Sequence, residues 1–182
     1  MILTGEEIVA ERERGRIVVD PFDPGQVNPN SYNFRLGRQC RVYSKYPLDP
    51  RVPNEDDEIE LDDDGFLLEP GRLHLCCTME ILGSEYYAPT FAARSSVARL
   101  GLFINLSASL GDIGYIGQWT LQLFSIHPLW VYPGMEIGQM MWWRPQGEIV
   151  LYEGKYQSSQ GPQTTLIHRD FDVVRVPGAG VR

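Results

Sequence analysis

Hydrophobic and polar residues alternate with a period of two along several short stretches of the chain. In residues 72–81 the apolar set is Leu73, Leu75, Cys77, Met79 and Ile81. This alternation predicts a strand with one buried face, and residues 118–125 alternate in the same way. Residues 135–143 are largely apolar on both faces, which is typical of a strand buried in a barrel.

Few stretches have the period of a helix. Thr4 and Glu7 have the spacing of a capping box, which predicts a short helix that ends near Gly15. Residues 95–100 are the other stretch with helical character. Proline and glycine recur between the strands, as expected for turns. The pattern predicts a mostly β chain with a short N-terminal helix, folded as a barrel or jelly roll.

Acidic residues are concentrated between positions 54 and 65. The eight acids are Glu55, Asp56, Asp57, Glu58, Glu60, Asp62, Asp63 and Asp64. Their spacing is not that of an EF-hand loop. We therefore predict a solvated loop at the rim of the fold rather than a metal-binding cage.

Length and charge narrow the classes of protein further. The 182 residues favour one domain, predicted to span residues 1–175, followed by a flexible tail at 176–182. The formal net charge of -8 argues against nucleic acid or an anionic membrane as the main partner. No apolar run approaches the roughly 20 residues that a membrane helix requires.

The cysteines indicate the redox state of the compartment and whether a zinc site is present. Cys40, Cys76 and Cys77 fit a reducing cytoplasm, and the first residues lack a signal-peptide pattern. Zinc nucleobase deaminases need a His-x-Glu and a Pro-Cys-x-x-Cys element, and neither occurs in the sequence. We therefore expect no zinc site. Any hydrolysis by this protein would have to activate water with side chains or with Mg²⁺.

One segment has the composition of a polyphosphate site. Arg94 and Arg99 flank Ser95, Ser96 and small residues. Arginine forks form bidentate, charge-assisted bonds with phosphate, while hydroxyls and N–H groups at a helix start supply further donors. Taken alone, the same pattern is equally typical of a capped helical turn with solvated arginines.

The order of several motifs resembles the dCTP deaminase branch of the dUTPase superfamily. Its Arg-Ser-Ser-x-x-Arg-x-Gly element corresponds to residues 94–101, and its Asp-x-Gly-aromatic-x-Gly element to residues 112–117. Further matching segments are 31–37 (SYNFRLG), 68–71 (LEPG), 132–135 (YPGM), 154–156 (GKY) and 160–161 (QG). The resemblance implies a distorted β-barrel or jelly-roll subunit and a homotrimer with sites at subunit interfaces. It also implies a pyrimidine deoxynucleoside triphosphate as ligand, with Mg²⁺ on the triphosphate.

The resemblance also implies roles for individual residues. Arg94, Ser95, Ser96 and Arg99 match the phosphate-binding turn, and Ser95 also matches a hydroxyl that holds the attacking water. Asp112 matches an aspartate beside the deoxyribose, which activates water in the dUTP hydrolases. The other implied contacts are Ala108, through its carbonyl near the base, Tyr115 beside Asp112, and Lys155, Tyr156 and Gln160 in a segment that closes over the nucleotide.

Two positions depart from the deaminase pattern. The deaminases carry a catalytic glutamate five residues after the last glycine of the second motif, where this chain has Gln122. A carboxylate can shuttle protons between water and cytosine, whereas an amide cannot, although it can still bind a pyrimidine edge. Ser109 and Leu110 replace a basic pair, which weakens the positive field around the site.

Three functions are compatible with this sequence. The first is a dCTP deaminase-like enzyme whose deamination is impaired or absent. In that enzyme Gln122 is either introduced to trap a complex or compensated by another acid, for which Glu80 and Glu136 are the candidates in space. The second is a dUTP or dCTP diphosphatase that uses Asp112 to orient water, with Mg²⁺ on the triphosphate. The third is a trimer that binds a nucleotide without reaction. They share one pocket and differ in product: ammonia, pyrophosphate or none.

Overall fold

The structure is a computed structural model that describes residues 1–173. Its helices and strands are α1 (Gly5–Glu13), β1 (Val18–Asp20), β2 (Val27–Asn28), β3 (Ser31–Tyr43), β4 (Asp56–Glu60), β5 (Phe66–Leu68), β6 (Leu73–Thr78), β7 (Ile81–Gly83), β8 (Ala88–Ala93), α2 (Ser95–Ala98), β9 (Leu102–Ile104), β10 (Ile116–Gly117), β11 (Thr120–Ser125), β12 (Leu129–Val131), β13 (Glu136–Trp143) and α3 (His168–Val173). The tail predicted at 176–182 and the predicted domain end at residue 175 lie outside the described residues.

The long strand β3 joins the two halves of the main sheet. Its first half pairs with β13, where Tyr32 lies opposite Met140, and its second half pairs with β4 and β6, where Cys40 lies opposite Cys76. The main sheet has the order β8-β13-β3-β6-β11-β9, with β2 and β4 also paired to β3. Smaller sheets contain β1-β7-β10 and β12-β5. The predicted class, a mostly β, barrel-like subunit with a short N-terminal helix, is confirmed.

Strand β11 has the alternation that the sequence predicts. Leu121 and Leu123 are fully buried in the core, while Gln122 on the opposite face is half-buried. Trp119, just before the strand, packs edge-to-face on Tyr115 and Phe91, with centroid distances of 4.6 and 5.3 Å. The strand therefore presents an apolar face to the core and a polar residue to the opposite side. The predicted strand at 135–143 is β13, in which Ile137, Gly138, Met140 and Trp142 are buried while Trp143 is exposed.

The prediction of one buried face is wrong for β6. From His74 to Thr78 every side chain is buried, on both faces of the strand. The C-terminal segment covers the second face, because Gln163, Thr164 and Thr165 lie against the same cavity as Leu75. The strand also ends before Ile81, which belongs to β7 in a separate sheet.

The prediction of a loop is wrong for part of the acidic stretch. Residues 56–60 form β4, which pairs with β3 so that Glu58 lies opposite Arg41. Arg41 forms salt bridges with Asp56, at 3.5 Å, and with Glu58. Backbone pairing together with these ion pairs accommodates the acids in a strand, which stays largely exposed.

Helices α1 and α2 lie where the sequence predicts them, but one predicted contact is absent and a third helix was not predicted. Helix α1 begins after Thr4, as predicted, yet the Thr4 side chain forms no capping hydrogen bond. Helix α2 is the predicted turn at 95–100, and α3 has no counterpart in the sequence prediction. None of the helices within residues 1–173 is long and apolar enough to cross a lipid bilayer.

A buried carboxylate in α1 makes stability depend on pH. Glu11 is 1% exposed; it accepts a hydrogen bond of 2.6 Å from the Tyr87 hydroxyl and pairs with Arg14 and Arg16. The Tyr87 hydrogen bond, with help from both arginines, lowers the pKa of Glu11. Because the folded-state pKa is lowered, this stabilisation is complete above the ordinary glutamate pKa, about 4.3, and is lost as pH falls through the folded value.

We expect Glu11→Gln to lower the free energy of unfolding at pH 7 by about 1–3 kcal/mol, because an amide loses the charge-assisted bonds. Urea unfolding between pH 3 and 7 measures this, with the exposed Glu13→Gln as control. The difference between Glu11→Gln and the parent should shrink towards pH 3. An equal difference at both pH values would contradict the assignment.

Candidate functional site

A cavity of about 430 Å³ lies between β6, β11, the 110–115 loop and the C-terminal segment. Its walls are Tyr43, Leu73, Leu75, Leu110, Gly111, Asp112, Tyr115, Trp119, Thr120, Gln122, Tyr152, Tyr156, Ser159, Gln163, Thr164 and Thr165. Four of the residues proposed from the sequence are brought together here: Asp112, Tyr115, Gln122 and Tyr156. The volume is in the range of small-molecule sites.

Gln122 lies on the β11 wall of the cavity. Its neighbour across the strand pair is Leu75 of β6, so the amide has an apolar residue on one side. On the other side its backbone N–H donates to Asn105 Oδ1 at 2.8 Å. The Gln122 amide offers one acceptor and two donors to a ligand, but no titrating proton near neutral pH.

Asp112 supplies a carboxylate to the same cavity. It lies in the exposed turn before Tyr115, whose N–H donates to the Asp112 carbonyl at 3.3 Å. Among the described residues that line the cavity, no other side chain carries a carboxylate. Glu80 is instead fully buried and bound to Arg35, at 2.7 Å, and Glu136 is bound to Arg94 and Asn33. Neither lines the cavity, so within one protomer neither acid substitutes for the missing glutamate at Gln122.

Tyr115 forms a rigid aromatic wall. Its hydroxyl donates to the Gln118 carbonyl at 2.7 Å, and its ring packs edge-to-face against Trp119 and Tyr152. Burial raises the pKa of Tyr115 to about 12. The phenol therefore stays protonated near neutral pH, and we assign it to shaping the site rather than to proton transfer.

The segment from residue 152 to 165 closes the cavity through hydrogen bonds to the barrel. The N–H groups of Gln163 and Thr165 donate to Thr120 Oγ1 and to the Tyr43 hydroxyl, both at 2.9 Å. Gly161 N–H donates to Gln118 Oε1 at 2.7 Å. These bonds fix the backbone of the segment, so its side chains line the cavity in a defined arrangement.

Within the segment itself, the Tyr156 hydroxyl accepts a bond from Leu166 N–H at 2.9 Å. Two other residues proposed from this segment lie outside the cavity. Lys155 is paired with Asp170 at 2.7 Å, and Gln160 is exposed beside a second, polar cleft that Arg38 and Arg41 also line.

The proposed phosphate-binding turn is also away from the cavity of its own chain. Ser95, Ser96 and Arg99 are exposed on and just after α2. Arg94 Nη1 is held by Glu136 Oε2 at 2.8 Å. Ala108 is likewise exposed and does not line the cavity. One protomer therefore does not bring the turn and the cavity together.

The sequence interpretation missed several residues of the cavity. Tyr43, Thr120, Tyr152, Ser159 and Gln163 all line it. A run of Gln, Ser and Thr between positions 157 and 165 is a weak signal for a polar segment that contacts a ligand. Tyr43 has no such signal, because only the chain path brings it to residue 165.

The arrangement of possible ligands bears on whether the protein itself holds a metal ion. Within residues 1–173, no three His, Cys, Asp or Glu side chains are grouped as a metal site. Mg²⁺ is commonly held by one or two carboxylates together with substrate phosphates. Among the described residues that line the cavity, Asp112 is the one carboxylate that could take part in such a site.

The protein is a barrel-like β subunit with a cavity that combines a carboxylate, an amide and aromatic walls. Residues 2–144 match the family model described as dCTP deaminase-like. The chain belongs to the dCTP deaminase-like family, which confirms the resemblance that its motifs indicate.

Curated relatives extend the similarity to nearly the whole chain. The protein is 44% identical over 173 residues to a "dCTP deaminase, dUMP-forming" of Clostridium beijerinckii, covering 94% of this chain and 99% of that protein. A protein of the same name from Leptospira biflexa is 43% identical over the same shares of both chains. The crystal structure of 2'-deoxycytidine 5'-triphosphate deaminase from Agrobacterium tumefaciens has the same fold, with a TM-score of 0.61 at 24% identity. The match covers 78% of this chain and 47% of that one.

Proposed function

We propose that the protein binds a pyrimidine deoxynucleoside triphosphate in the cavity and hydrolyses it to the monophosphate and pyrophosphate, with deamination impaired. The names of the relatives describe an overall conversion of dCTP to dUMP. That conversion consumes two waters and releases ammonia and pyrophosphate. It therefore contains two separable hydrolyses, one at C4 of the base and one at the α-phosphorus.

The observation that carries this proposal is the pair of side chains in the cavity. Asp112 is a carboxylate, and Gln122 is an amide at the position where the deaminases carry a glutamate. Hydrolysis at C4 needs a group that moves protons between water and the ring, which Gln122 cannot do. Asp112 can orient a water towards the α-phosphorus of a triphosphate whose charge Mg²⁺ neutralises.

The base is assigned to the Gln122 side of the cavity. The amide of Gln122 can bond to either the cytosine or the uracil edge, because it both donates and accepts. Tyr115 and Trp119 provide flat apolar surfaces that exclude water from the bound nucleotide. These features support binding of both pyrimidines.

A neighbouring copy of the chain is proposed to supply the phosphate-binding turn. Arg94, Ser95, Ser96 and Arg99 lie outside their own cavity, and a homotrimer with sites between subunits would place one copy's turn at the next copy's cavity. Leu110 at the cavity, Phe103 of β9 and Leu106 in the loop after β9 are exposed apolar side chains, which supports burial against another subunit. In this arrangement Lys155 exchanges Asp170 for a phosphate when the nucleotide binds, and Gln160 of the closing segment contacts the nucleotide.

A second candidate is a trimer that binds the nucleotide without reacting. It is favoured by the same amide, since Gln122 recognises a base edge without transferring a proton. For either function, the three buried, unpaired thiols support a reducing, cytoplasmic setting.

The test incubates the protein with dUTP and with dCTP, each with Mg²⁺, and measures pyrophosphate and ammonia separately. We expect pyrophosphate with little ammonia. Asp112→Asn should reduce pyrophosphate release by about 10²–10⁴, whereas Asp64→Asn in the exposed loop should not change it. Binding with neither product would favour the sequestering trimer, and strong ammonia release would contradict the proposed role of Gln122.

A further inference from the structure

Asn105 lies immediately after β9 in an unusual environment. It is 5% exposed, and its φ of 47° is in the left-handed region. Asparagine is one of the few residues other than glycine that adopts this conformation readily. The conformation turns the chain from β9 into the loop that leads to Ala108.

The strand β9 does not extend as far as Gln122, and Asn105 forms the backbone hydrogen bonds of that residue instead. The regular β9–β11 pairing reaches Ile104 and Leu123. Beyond it, Asn105 N–H donates to the Gln122 carbonyl at 3.1 Å, and Asn105 Oδ1 accepts from Gln122 N–H at 2.8 Å. Both backbone groups of Gln122 are therefore held by this one residue.

The other end of the same amide holds the loop. Asn105 Nδ2 donates to the Thr120 carbonyl at 3.3 Å and to the Ala108 carbonyl at 3.4 Å. The loop is also closed by Ala108 N–H, which donates to the Asn105 carbonyl at 3.2 Å. A carbonyl oxygen has two lone pairs, so the Ala108 carbonyl keeps one acceptor site while Asn105 restrains its direction.

We infer that Asn105 is a positioning residue for base recognition, which rests on the proposed function of the cavity. It holds both backbone groups of Gln122, the residue assigned to the base, and its own amide is fixed by the Thr120 and Ala108 carbonyls. Cytosine presents a donor at N4 and an acceptor at N3, whereas uracil presents an acceptor at O4 and a donor at N3. The direction in which Gln122 presents its amide to the base edge therefore sets the preference between the two bases.

The test compares Asn105→Asp with the exposed control Asn30→Asp. The aspartate retains the acceptor for Gln122 N–H but loses the donor to Ala108 and Thr120. We expect the ratio of the Kd values for dCTP and dUTP to change by about fivefold, the effect of one neutral hydrogen bond. The Kd of tripolyphosphate, which lacks a base, should stay unchanged, and Asn30→Asp should match the parent in all three.

A second variant covers the possibility that a buried carboxylate prevents folding. Asn105→Gly keeps the left-handed backbone available while it removes every side-chain bond, and the same shift in the dCTP-to-dUTP ratio is expected. If both nucleotides weaken equally in a folded variant, Asn105 is only a structural clamp and the inference is overturned while the nucleotide site stands. If the parent binds neither nucleotide, the proposed function fails and the inference fails with it.

Discussion

Replacing Gln122 by glutamate is expected to give the protein ammonia-releasing activity on dCTP. The change supplies a carboxylate, which can accept and donate protons. This carboxylate would lie on the β11 wall of the cavity beside Leu75. General acid–base catalysis contributes about 10²–10⁴ in rate, so ammonia release should rise by at least the lower figure. Because an ionised carboxylate only accepts hydrogen bonds, the variant should also favour the cytosine amino group over the uracil carbonyl.

The matched control for this change is Gln163→Glu. Gln163 lines the same cavity, so the control adds the same charge without placing it on β11. It should release no more ammonia than the parent. If Gln122→Glu binds dCTP as the parent does and still releases no ammonia, the missing carboxylate is not what limits deamination.

Replacing Arg99 by alanine is expected to weaken binding of dUTP and dCTP more than tenfold. A charge-assisted phosphate contact is worth about 1.5–3 kcal/mol. Arg99 is exposed at the end of α2, so its loss should leave the melting temperature nearly unchanged. Calorimetric titration measures the affinity, and Arg51→Ala in an exposed turn is the control. Unchanged affinity in the folded Arg99→Ala protein would show that the turn is a surface helix and not a site.

A mixture of two impaired variants, assayed at a nucleotide concentration too low to saturate Arg99→Ala, tests whether Arg99 acts across a subunit interface. If the Arg99 side chain serves the cavity of a neighbouring copy, subunit exchange between Arg99→Ala and Asp112→Asn proteins should restore pyrophosphate release, because some sites then contain both native residues. Mixing that restores no activity after verified exchange would contradict a shared site. Light scattering that gives a 20.7 kDa monomer would contradict the trimer itself.

The sequence predicts much of the fold because the signals for strands are local. Alternation at residues 118–125 requires only that one face of β11 be apolar, and the structure has Leu121 and Leu123 in the core. The same rule was wrong for β6, because burial of its second face depends on a segment about 90 residues later. The strand β4 was missed for a similar reason: its acids are compatible with pairing only where Arg41 lies beside them.

The same distinction between local and long-range information applies to the candidate site. The sequence by itself determined the family, through the order of its motifs, and it determined that an amide stands at position 122. These conclusions need only residue identities and their spacing along the chain. Only the tertiary structure decided that Asp112, Tyr115, Gln122 and Tyr156 share one cavity while the arginine turn lies apart from it. The backbone bonds that hold the closing segment to Tyr43 and Thr120, and those that Asn105 makes to Gln122, join residues 17 to 122 positions apart. Such contacts depend on the path of the whole chain through the barrel, which no local pattern of residues specifies.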